Sequence, residues 1–445
     1  MKSNFTTIDK DHSWHPFTQM REYLGQPLLH VERGDGCWLI DTEGKRYLDC
    51  NASIWANVHG HNNQEPNDAI VSQVQKLSHA TMLGLNHTAA TELTERLVRL
   101  VPGLQRVFLT DNGATAIEVA LKMSFQYWQL VGKPEKTGVI AMEDGYHGDT
   151  FGTMAVGGRS IFHSRFNHWL FPVKHISRPL FSECDGVIKE DDSLAINGLK
   201  SLLEKHADTT ACLIFEPSIQ GAAGMQLLPE SFEKKARELC DKFGVHLILD
   251  EIFVGCGRTG SMTVCGQQGV SPDFLCLSKG LSGGYLPIGA TLTSNAIFEP
   301  FLGSYTEYKT LFHGHTFGGN PLACAVSSKS LEMIETLISS QKLSSTINFF
   351  KKTALETFGK NPFVKEIRQR GMTLAIDLFP GKEGETFPPN DRIAFKICIE
   401  ARNHGLIIRP LGDSILVVPP LVISNDEISF LFNSLSKSIL SKIGR

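Results

Sequence analysis

Short apolar runs alternate with amphipathic stretches from about residue 65 onward, and this alternation restricts the fold more than any other feature. Each apolar run has the length of a strand, whereas the stretches at 116–131 and 229–243 have helical periodicity. This alternation predicts an α/β fold in which a mostly parallel sheet is covered by helices on both faces. The predicted strands span 107–110, 138–142, 210–215, 247–250, 274–277 and 289–293.

Both ends of the chain predict a smaller α+β unit. Short antiparallel strands are expected at 36–41 and 45–49, on either side of a Thr-Glu-Gly turn. A helical stretch from about 321 to 358, with no strong break, leads into a strand, strand, helix, strand, helix pattern. A chain of 445 residues is too long for one compact core. We therefore predict three parts: an N-terminal segment of the small domain (1–60), a large cofactor-binding domain (61–330) and a C-terminal small domain (331–445).

Composition narrows the possible partners and location. The formal net charge of −4 gives no electrostatic reason to expect nucleic acid or an anionic membrane as a partner. No apolar run approaches the roughly 20 residues of a membrane helix, and the N-terminal residues lack the apolar core of an export signal. The 10 cysteines are scattered without a Cys-x-x-Cys pair, which is typical of buried thiols in a reducing compartment. We therefore predict a cytoplasmic protein.

A lysine and an acid follow two of the apolar runs. Lys279 stands between Asp273-Phe-Leu-Cys-Leu-Ser and a glycine-rich loop, and Asp250 ends Val245-His-Leu-Ile-Leu. Both fall beyond the carboxyl ends of predicted strands, where open α/β sheets bind ligands. A lysine that carries an aldehyde as an imine and an acid that keeps a pyridine nitrogen protonated are what pyridoxal phosphate requires. The pair therefore predicts a pyridoxal 5'-phosphate enzyme in which both residues are catalytic.

Two segments are candidates for binding the cofactor's phosphate. Gly113 and Ala114 follow a predicted strand and open a helix whose first amides form an anion site, although a plain capped turn is an equal alternative. Thr316, in Thr-Phe-Gly-Gly-Asn-Pro, offers a hydroxyl and neighbouring amides. Before it, His313-Gly-His315 lacks a carboxylate or cysteine at ligand spacing, as does His-Gly-His at 59–61. We interpret both as turns and predict no metal site.

Several polar residues could contact the cofactor ring or the substrate. Tyr146 could stack on a pyridine ring and Asp149 could contact an amine, although a polar surface loop is the favoured interpretation from these residues alone. Glu216 ends another strand and could orient the ring or cap a helix. Arg409 lies in an apolar segment, which suits capture of a substrate carboxylate or, equally, a salt bridge at a domain interface.

One glycine motif is typical of a different class of enzyme, the nicotinamide dehydrogenases. Gly255-Cys-Gly257-Arg-Thr-Gly260 formally matches the dinucleotide-binding fingerprint. The following residues do not continue as a helix, so we interpret the match as chance in a flexible active-site loop, with Arg258 its most notable member. A nicotinamide dehydrogenase is therefore disfavoured.

Taken together, these segments resemble the class III aminotransferases of pyridoxal fold type I, through nearly the whole chain. Asp-Glu-Ile and Ser-Lys-Gly are shared by the class. Further segments indicate the branch of this class that acts in biotin biosynthesis and converts 8-amino-7-oxononanoate to 7,8-diaminononanoate. These are Trp14-His-Pro-Phe-Thr-Gln-Met20, Ile54-Trp55-Ala-Asn-Val-His-Gly60, Gly145-Tyr-His-Gly-Asp-Thr-Phe-Gly152 and His313-Gly-His-Thr-Phe317.

The resemblance implies a role for each matching residue. Lys279 would link to the cofactor and later move a proton, and Asp250 would pair with the pyridine nitrogen. The family forms homodimers with active sites at the interface, so phosphate contacts would come from both subunits. The phosphate would be bound by Gly113 and Ala114 of one subunit and by His315 and Thr316 of the other. The substrate-binding set would comprise Phe17, Trp55, Tyr146, Lys279, Gly314 and Arg409, with Arg409 on the oxo acid's carboxylate.

Three positions depart from the form common in this branch. Phe17 stands where a tyrosine associated with adenine stacking is common, Ile54 replaces the first residue of a Trp-Trp pair, and His315 replaces a proline. These changes leave the transamination chemistry intact but bear on the amino donor. The expected donor is S-adenosylmethionine; the alternatives are lysine as donor, or another class III ω-aminotransferase reaction.

Overall fold

Most apolar runs become strands and most amphipathic stretches become helices in this computed structural model, which describes residues 4–159, 161–184, 187–381 and 384–443. In chain order, strands β1 to β19 span Val31–Asp35, Trp38–Asp41, Arg46–Asp49, Arg106–Thr110, Gly138–Met142, Lys174–Ile176, Leu180–Cys184, Val187–Asp191, Thr210–Phe215, Ile219–Gln220, Gln226–Leu227, His246–Asp250, Phe274–Leu277, Gly289–Thr293, Val364–Arg370, Thr373–Leu378, Leu406–Ile407, Arg409–Leu411 and Ser414–Val417. Helices α1 to α14 span Phe5–His12, Met20–Leu24, Gln64–Lys76, Thr88–Val98, Gly113–Leu130, Phe151–Val156, Ser193–His206, Glu230–Phe243, Val264–Gln268, Asn295–Phe298, Pro321–Ser339, Lys342–Phe358, Ile393–Ala401 and Asn425–Ile443.

The largest sheet among the described residues has seven strands in the order β4-β14-β13-β12-β9-β5-β6. Its strands pair in parallel from β13 to β6, and β14 is antiparallel to both of its neighbours. Neighbouring residues of β12 enter different apolar cores, because Leu247 and Leu249 pack in one cluster and Ile248 in another. Both faces are therefore covered, and the predicted mostly parallel α/β sheet is confirmed.

Parallel strands bring their carboxyl ends to one edge of this sheet. Asp250 ends β12, Glu216 follows β9 directly, and Lys279 lies two residues beyond the end of β13. Because β9, β12 and β13 are adjacent in the sheet, these three side chains meet beyond the same edge.

A second unit combines the two ends of the chain. β1, β2 and β3 form an antiparallel meander, and β17 adds in parallel to β3, with Leu48 opposite Leu406. A further sheet has the order β15-β16-β19-β18. This pairing supports our proposal that 1–60 joins 331–445 in a small domain and leaves 61–330 as the large one.

The expectation of an unbroken helical stretch at 321–358 was wrong. α11 ends at Ser339 and α12 begins at Lys342. Between them, Gln341 adopts a left-handed conformation with φ of 60°, and its N–H donates to the carbonyl of Ile338. Glycine or asparagine commonly marks such a helix end. Glutamine at this position gives the sequence no break signal.

The cysteine side chains of the described residues lie in the interior of the protein. Nine cysteines are unpaired and buried, and the side chain of Cys184 lies outside the described part. In the portion of the chain described, no helix is both long and apolar enough to cross a membrane.

Candidate active site

A cavity of about 590 Å³ opens beyond the carboxyl edge of the seven-stranded sheet. It brings together six of the residues predicted from sequence: Trp55, Gly113, Ala114, Tyr146, Asp250 and Lys279. Its other polar lining includes His147, Asp149 and Glu216. The cavity therefore collects a lysine, three acids, a tyrosine and the start of helix α5 in one place.

Lys279 presents its amine to this cavity from a strained position. The residue has φ of 42° and begins a short 3₁₀ turn that ends at Ser282. Its Nζ lies 5.0 Å from the ring centre of Trp55 and 5.6 Å from that of Phe253. Burial lowers the pKa of the Lys279 ammonium, although the charges of Asp250 and Glu216 oppose that shift. A desolvated amine loses its proton more readily and is a better nucleophile.

Asp250 is oriented by two donors. Nδ1 of His147 lies 2.7 Å from Oδ2 of Asp250, and the N–H of Ile252 donates to Oδ1 at 3.0 Å. Each carboxylate oxygen keeps a free lone pair that can accept a further proton donor. Nε2 of His147 is buried and has no hydrogen-bond partner within the described residues. Asp250 is therefore fixed in place while remaining able to accept the N–H of a pyridinium ring.

Glu216 is a second buried acid at this edge. Its two oxygens accept the N–H groups of Tyr146 at 3.0 Å and Gly221 at 3.1 Å. Burial raises the pKa of Glu216 from 4.5 to about 7; the charge of His147 opposes this shift, and the charge of Asp250 adds to it. Tyr146 donates its hydroxyl to Asp149 at 2.8 Å, and burial raises the pKa of that phenol. Glu216 thus holds the backbone of the loop that carries Tyr146.

A pH dependence follows from Glu216. A carboxyl whose pKa is raised by folding stabilises the protein at low pH, and this contribution is lost as pH rises toward the folded pKa of about 7. The melting temperature of the protein without added ligand should therefore fall by a few degrees relative to Glu216→Gln between about pH 5 and pH 8. Glu230→Gln, which alters an exposed acid, provides the control. Parallel melting curves for wild type and Glu216→Gln across this range would contradict the expectation.

The start of helix α5 provides an anion site. Oδ1 of Asn112 accepts the N–H of Thr115, and Oγ1 of Thr115 accepts the N–H of Asn112, each at 3.1 Å. This capping box leaves the first-turn amides of Gly113 and Ala114 facing the cavity. A Cβ atom at position 113 would lie only 2.9 Å from Cγ2 of Ile252, so glycine is needed for this close packing.

These features fit pyridoxal phosphate. The helix start suits its phosphate, the open lone pairs of Asp250 suit its pyridine nitrogen, and the buried amine of Lys279 suits its aldehyde. Ile252, beside Gly113 and directly after the acid pair, offers an apolar surface in the same cavity.

Trp55 enters the cavity from an unusual backbone conformation. Ala52, Ser53, Ile54 and Trp55 all have positive φ, with values of 42°, 47°, 65° and 69°, so the segment forms one left-handed turn. For bulky and β-branched residues this conformation is strained and must be held by the surroundings. Here Nε1 of Trp55 donates to Oδ1 of Asn51 at 3.1 Å, which helps to fix the indole.

Five predicted site residues do not line this cavity in a single chain. Gly314, His315 and Thr316 are exposed, and Nδ1 of His315 lies 2.8 Å from Oδ2 of Asp111, just before the start of helix α5. Phe17 is exposed and contacts Phe162, with ring centres 5.8 Å apart. The fifth residue is Arg409, which is exposed at the start of β18.

Sequence reasoning missed two residues that the structure places in the site. His147 was read only as part of the Tyr-His-Gly-Asp segment, and its contact with Asp250 joins residues 103 positions apart. Phe253 lies three residues beyond Asp250, in the loop that bounds the cavity. Its position close to the end of β12 could have indicated a site residue, although an aromatic residue at that position is also typical of an apolar core.

The glycine motif at 255–260 and the histidine pairs have structural roles. Arg258 is buried rather than displayed on a flexible loop, and its Nη1 donates to the carbonyls of Met372 and Pro419. His59 hydrogen-bonds to Ser330, and His61 to Asp49. Among the described residues, no group of three potential metal ligands forms.

The geometry defines a pyridoxal-phosphate enzyme on an α/β fold. A family model described as Aminotransferase class-III matches residues 20–439, and the chain belongs to this family of enzymes. The predictions of family, fold class, enzyme type and pyridoxal 5'-phosphate as cofactor are therefore confirmed.

Named relatives extend the likeness along the whole chain. The chain is 45% identical to the adenosylmethionine-8-amino-7-oxononanoate aminotransferase of Geobacter sulfurreducens, over 98% of this chain and 97% of the relative. The crystal structure of the Methanocaldococcus jannaschii protein of that name superposes with a TM-score of 0.92 at 37% identity, covering 98% of this chain and 99% of the other. An amine transaminase from an uncultivated Pseudomonas species, solved with pyridoxal phosphate bound, has a TM-score of 0.88 at 30% identity, covering 97% and 99%.

Proposed function

We propose that the enzyme transfers an amino group from S-adenosylmethionine to 8-amino-7-oxononanoate, forming 7,8-diaminononanoate in biotin biosynthesis. The observation that carries this proposal is the full-length likeness to relatives named for these two substrates, at 45% identity in the Geobacter protein. The cavity supports it, because Trp55 and Tyr146 line it, and both come from segments that indicate this branch of the family.

The proposed mechanism assigns separate tasks to the residues at the sheet edge. When bound, pyridoxal phosphate supplies an electron sink for the carbon that bears the reacting amine. Lys279 would hold the cofactor through its amine and, once displaced by the donor, move a proton at the donor's carbon. Asp250 would keep the ring nitrogen protonated, with His147 fixing the carboxylate. Gly113 and Ala114 would hold the phosphate through their amides.

Arg409 is the proposed ligand of the oxo acid's carboxylate. Within the described residues it makes no ion pair, which favours substrate capture over a domain-interface salt bridge. A guanidinium can bind a carboxylate through two parallel hydrogen bonds. Tyr146 would pack against cofactor and substrate, while Trp55 would line the substrate's path.

A homodimer is the proposed assembly. Several large apolar side chains are strongly exposed in the single chain, including Trp14 at 90%, Tyr305 at 89% and Phe312 at 70%. Monomeric proteins rarely expose apolar patches of large extent, so such side chains support an interface between copies. Phe312 lies two residues before Gly314, His315 and Thr316 follow it, and the same interface would carry these three residues toward the partner's cavity. His315 and Thr316 would then contact its phosphate, and Gly314 its substrate.

The residue at position 17 bears on the amino donor. Phe17 keeps the ring expected for adenine stacking but lacks the hydroxyl of tyrosine, so lysine remains the alternative donor. Another class III ω-aminotransferase reaction is the second alternative.

We propose a cytoplasmic location because the nine described cysteines are unpaired and buried, as expected in a reducing compartment.

A single-turnover experiment tests the reaction. S-adenosylmethionine or lysine is added separately to purified enzyme loaded with pyridoxal phosphate, and absorbance follows amination of the cofactor. 8-Amino-7-oxononanoate is then added. We expect S-adenosylmethionine to aminate the cofactor and the oxononanoate to reverse the change. Response to lysine alone would select the alternative donor, and no response to the oxononanoate would overturn the proposed biotin-pathway reaction.

A further inference from the structure

Trp55 and Phe253 form an aromatic pair in the cavity wall. Their ring centres are 4.4 Å apart, with an angle of 41° between the ring planes. Nζ of Lys279 lies 5.0 Å from the first ring centre and 5.6 Å from the second. Both distances are within the roughly 6 Å over which an aromatic ring attracts a cation. The pair is therefore placed to attract positive charge beside the reacting amine.

The surroundings hold both rings in position. The left-handed turn and the hydrogen bond to Asn51 fix Trp55, and Phe253 is buried in an apolar cluster that includes Ile219. Gly221 leaves room for the two rings to meet. A Cβ atom there would lie 2.9 Å from Cδ1 of Phe253 and 3.0 Å from Cζ3 of Trp55. The aromatic pair is therefore a preformed surface with a fixed geometry.

The charges in the cavity favour a cationic ligand near this surface. Asp250 and Glu216 line the same space, and both are almost fully buried. Once a donor amine took the place of the Lys279 amine, the two rings would face the donor instead of the lysine. A second positive charge on the donor would then find two aromatic rings within reach of the position that Nζ occupied.

We propose that the Trp55–Phe253 pair binds a second positive charge on the amino donor, which makes Phe253 a specificity-determining residue. The inference rests on the proposed donor reaction. A group four bonds from the reacting amine lies at most roughly 5 Å from it, so it can stay within roughly 6 Å of both rings, whose centres lie 5.0 and 5.6 Å from Nζ. The sulfonium of S-adenosylmethionine has this spacing. The second amine of lysine is six bonds away and would reach past the pair unless its chain folded back.

The test compares a charged donor with a neutral one in the pyridoxal-loaded enzyme. S-adenosylmethionine and S-adenosylhomocysteine share the amine and the adenosine, but only the first carries the sulfonium charge. Dissociation constants are measured for both with wild type and with Phe253→Leu, which keeps an apolar side chain but removes the ring. Phe181→Leu serves as the matched control, because Phe181 packs on the same apolar cluster but does not line the cavity.

We expect wild type to prefer the sulfonium ligand by about tenfold. Phe253→Leu should lose most of this preference by weakening the charged ligand alone, and Phe181→Leu should retain it. The proposal would be overturned if Phe253→Leu weakened the binding of both ligands equally, or if wild type showed no preference for the sulfonium ligand.

Failure of the donor assignment gives a different result. In that case S-adenosylmethionine leaves the cofactor of the wild-type enzyme unchanged, whatever its affinity. The binding comparison is read independently of this outcome. A sulfonium preference that Phe253→Leu removes, in an enzyme that S-adenosylmethionine does not aminate, would overturn the proposed donor and support the role of the aromatic pair.

Discussion

Replacing Lys279 with alanine will lower turnover by at least about a thousandfold and remove the absorbance of the lysine-linked cofactor. The proposed mechanism gives the Lys279 amine two tasks. It would form the covalent link to the cofactor, and it would later move the proton at the donor carbon. Within the described residues Lys279 makes no hydrogen bond or ion pair, so its loss leaves no structural partner unpaired. The measurement combines steady-state turnover with the visible spectrum of the loaded variant.

Lys279→Arg provides the matched control for charge. It keeps a cation beside Trp55 and Phe253, but a guanidinium stays protonated and does not form the imine. Both variants should therefore be inactive, while the arginine variant keeps the charge opposite Asp250 and Glu216. Turnover within about tenfold of wild type in the alanine variant would rule out the assignment of Lys279.

Replacing Asp250 with asparagine will leave the cofactor bound but slow turnover by about a hundredfold to ten-thousandfold. A neutral amide cannot stabilise a protonated pyridine nitrogen as a carboxylate does, so the electron sink weakens. The same substitution replaces an acceptor of the His147 hydrogen bond, which is 2.7 Å long. The measurement is the single-turnover rate of cofactor amination, together with the fraction of cofactor retained after gel filtration.

Glu251, the next residue, supplies the matched control. Its oxygens accept the N–H groups of Val264 and Cys265 at 2.6 and 2.7 Å, and it does not line the cavity. Glu251→Gln should lower the melting temperature while leaving the amination rate of the folded enzyme nearly unchanged. If Asp250→Asn aminates its cofactor at the wild-type rate, the proposed role at the ring nitrogen fails.

The strands of the large domain were predictable because their apolar runs are short, buried and clearly bounded. Four of the six have the predicted bounds, and β4 and β12 each begin one residue earlier. Lys279 and Asp250 were predictable for the same reason, since each follows such a run. Tyr146 and Gly113 required the resemblance, because loops and helix starts have ordinary structural uses.

The remaining site features depend on tertiary contacts that local sequence does not encode. His147 meets Asp250 only after the sheet places β5 and β12 on either side of β9, and Phe253 meets Trp55 only across the cavity. The left-handed turn at 52–55 contains no glycine, so its conformation is imposed by the surrounding protein. For His315, Thr316 and Arg409, the proposed contacts involve a second subunit or a bound substrate.

The pairing of β17 with β3 has a consequence for how the chain folds during synthesis. Strand β3 needs a neighbour that leaves the ribosome much later, and the hydrogen bond from Trp38 to Glu427 spans 389 positions. At about 5–20 residues per second of synthesis, such a delay is on the order of tens of seconds. Until then the first three strands present an open edge, which is a site for mispairing with other nascent chains. We therefore expect translation speed and chaperone capture to change the yield of folded enzyme. They should have less effect on the stability of the fold once it is complete.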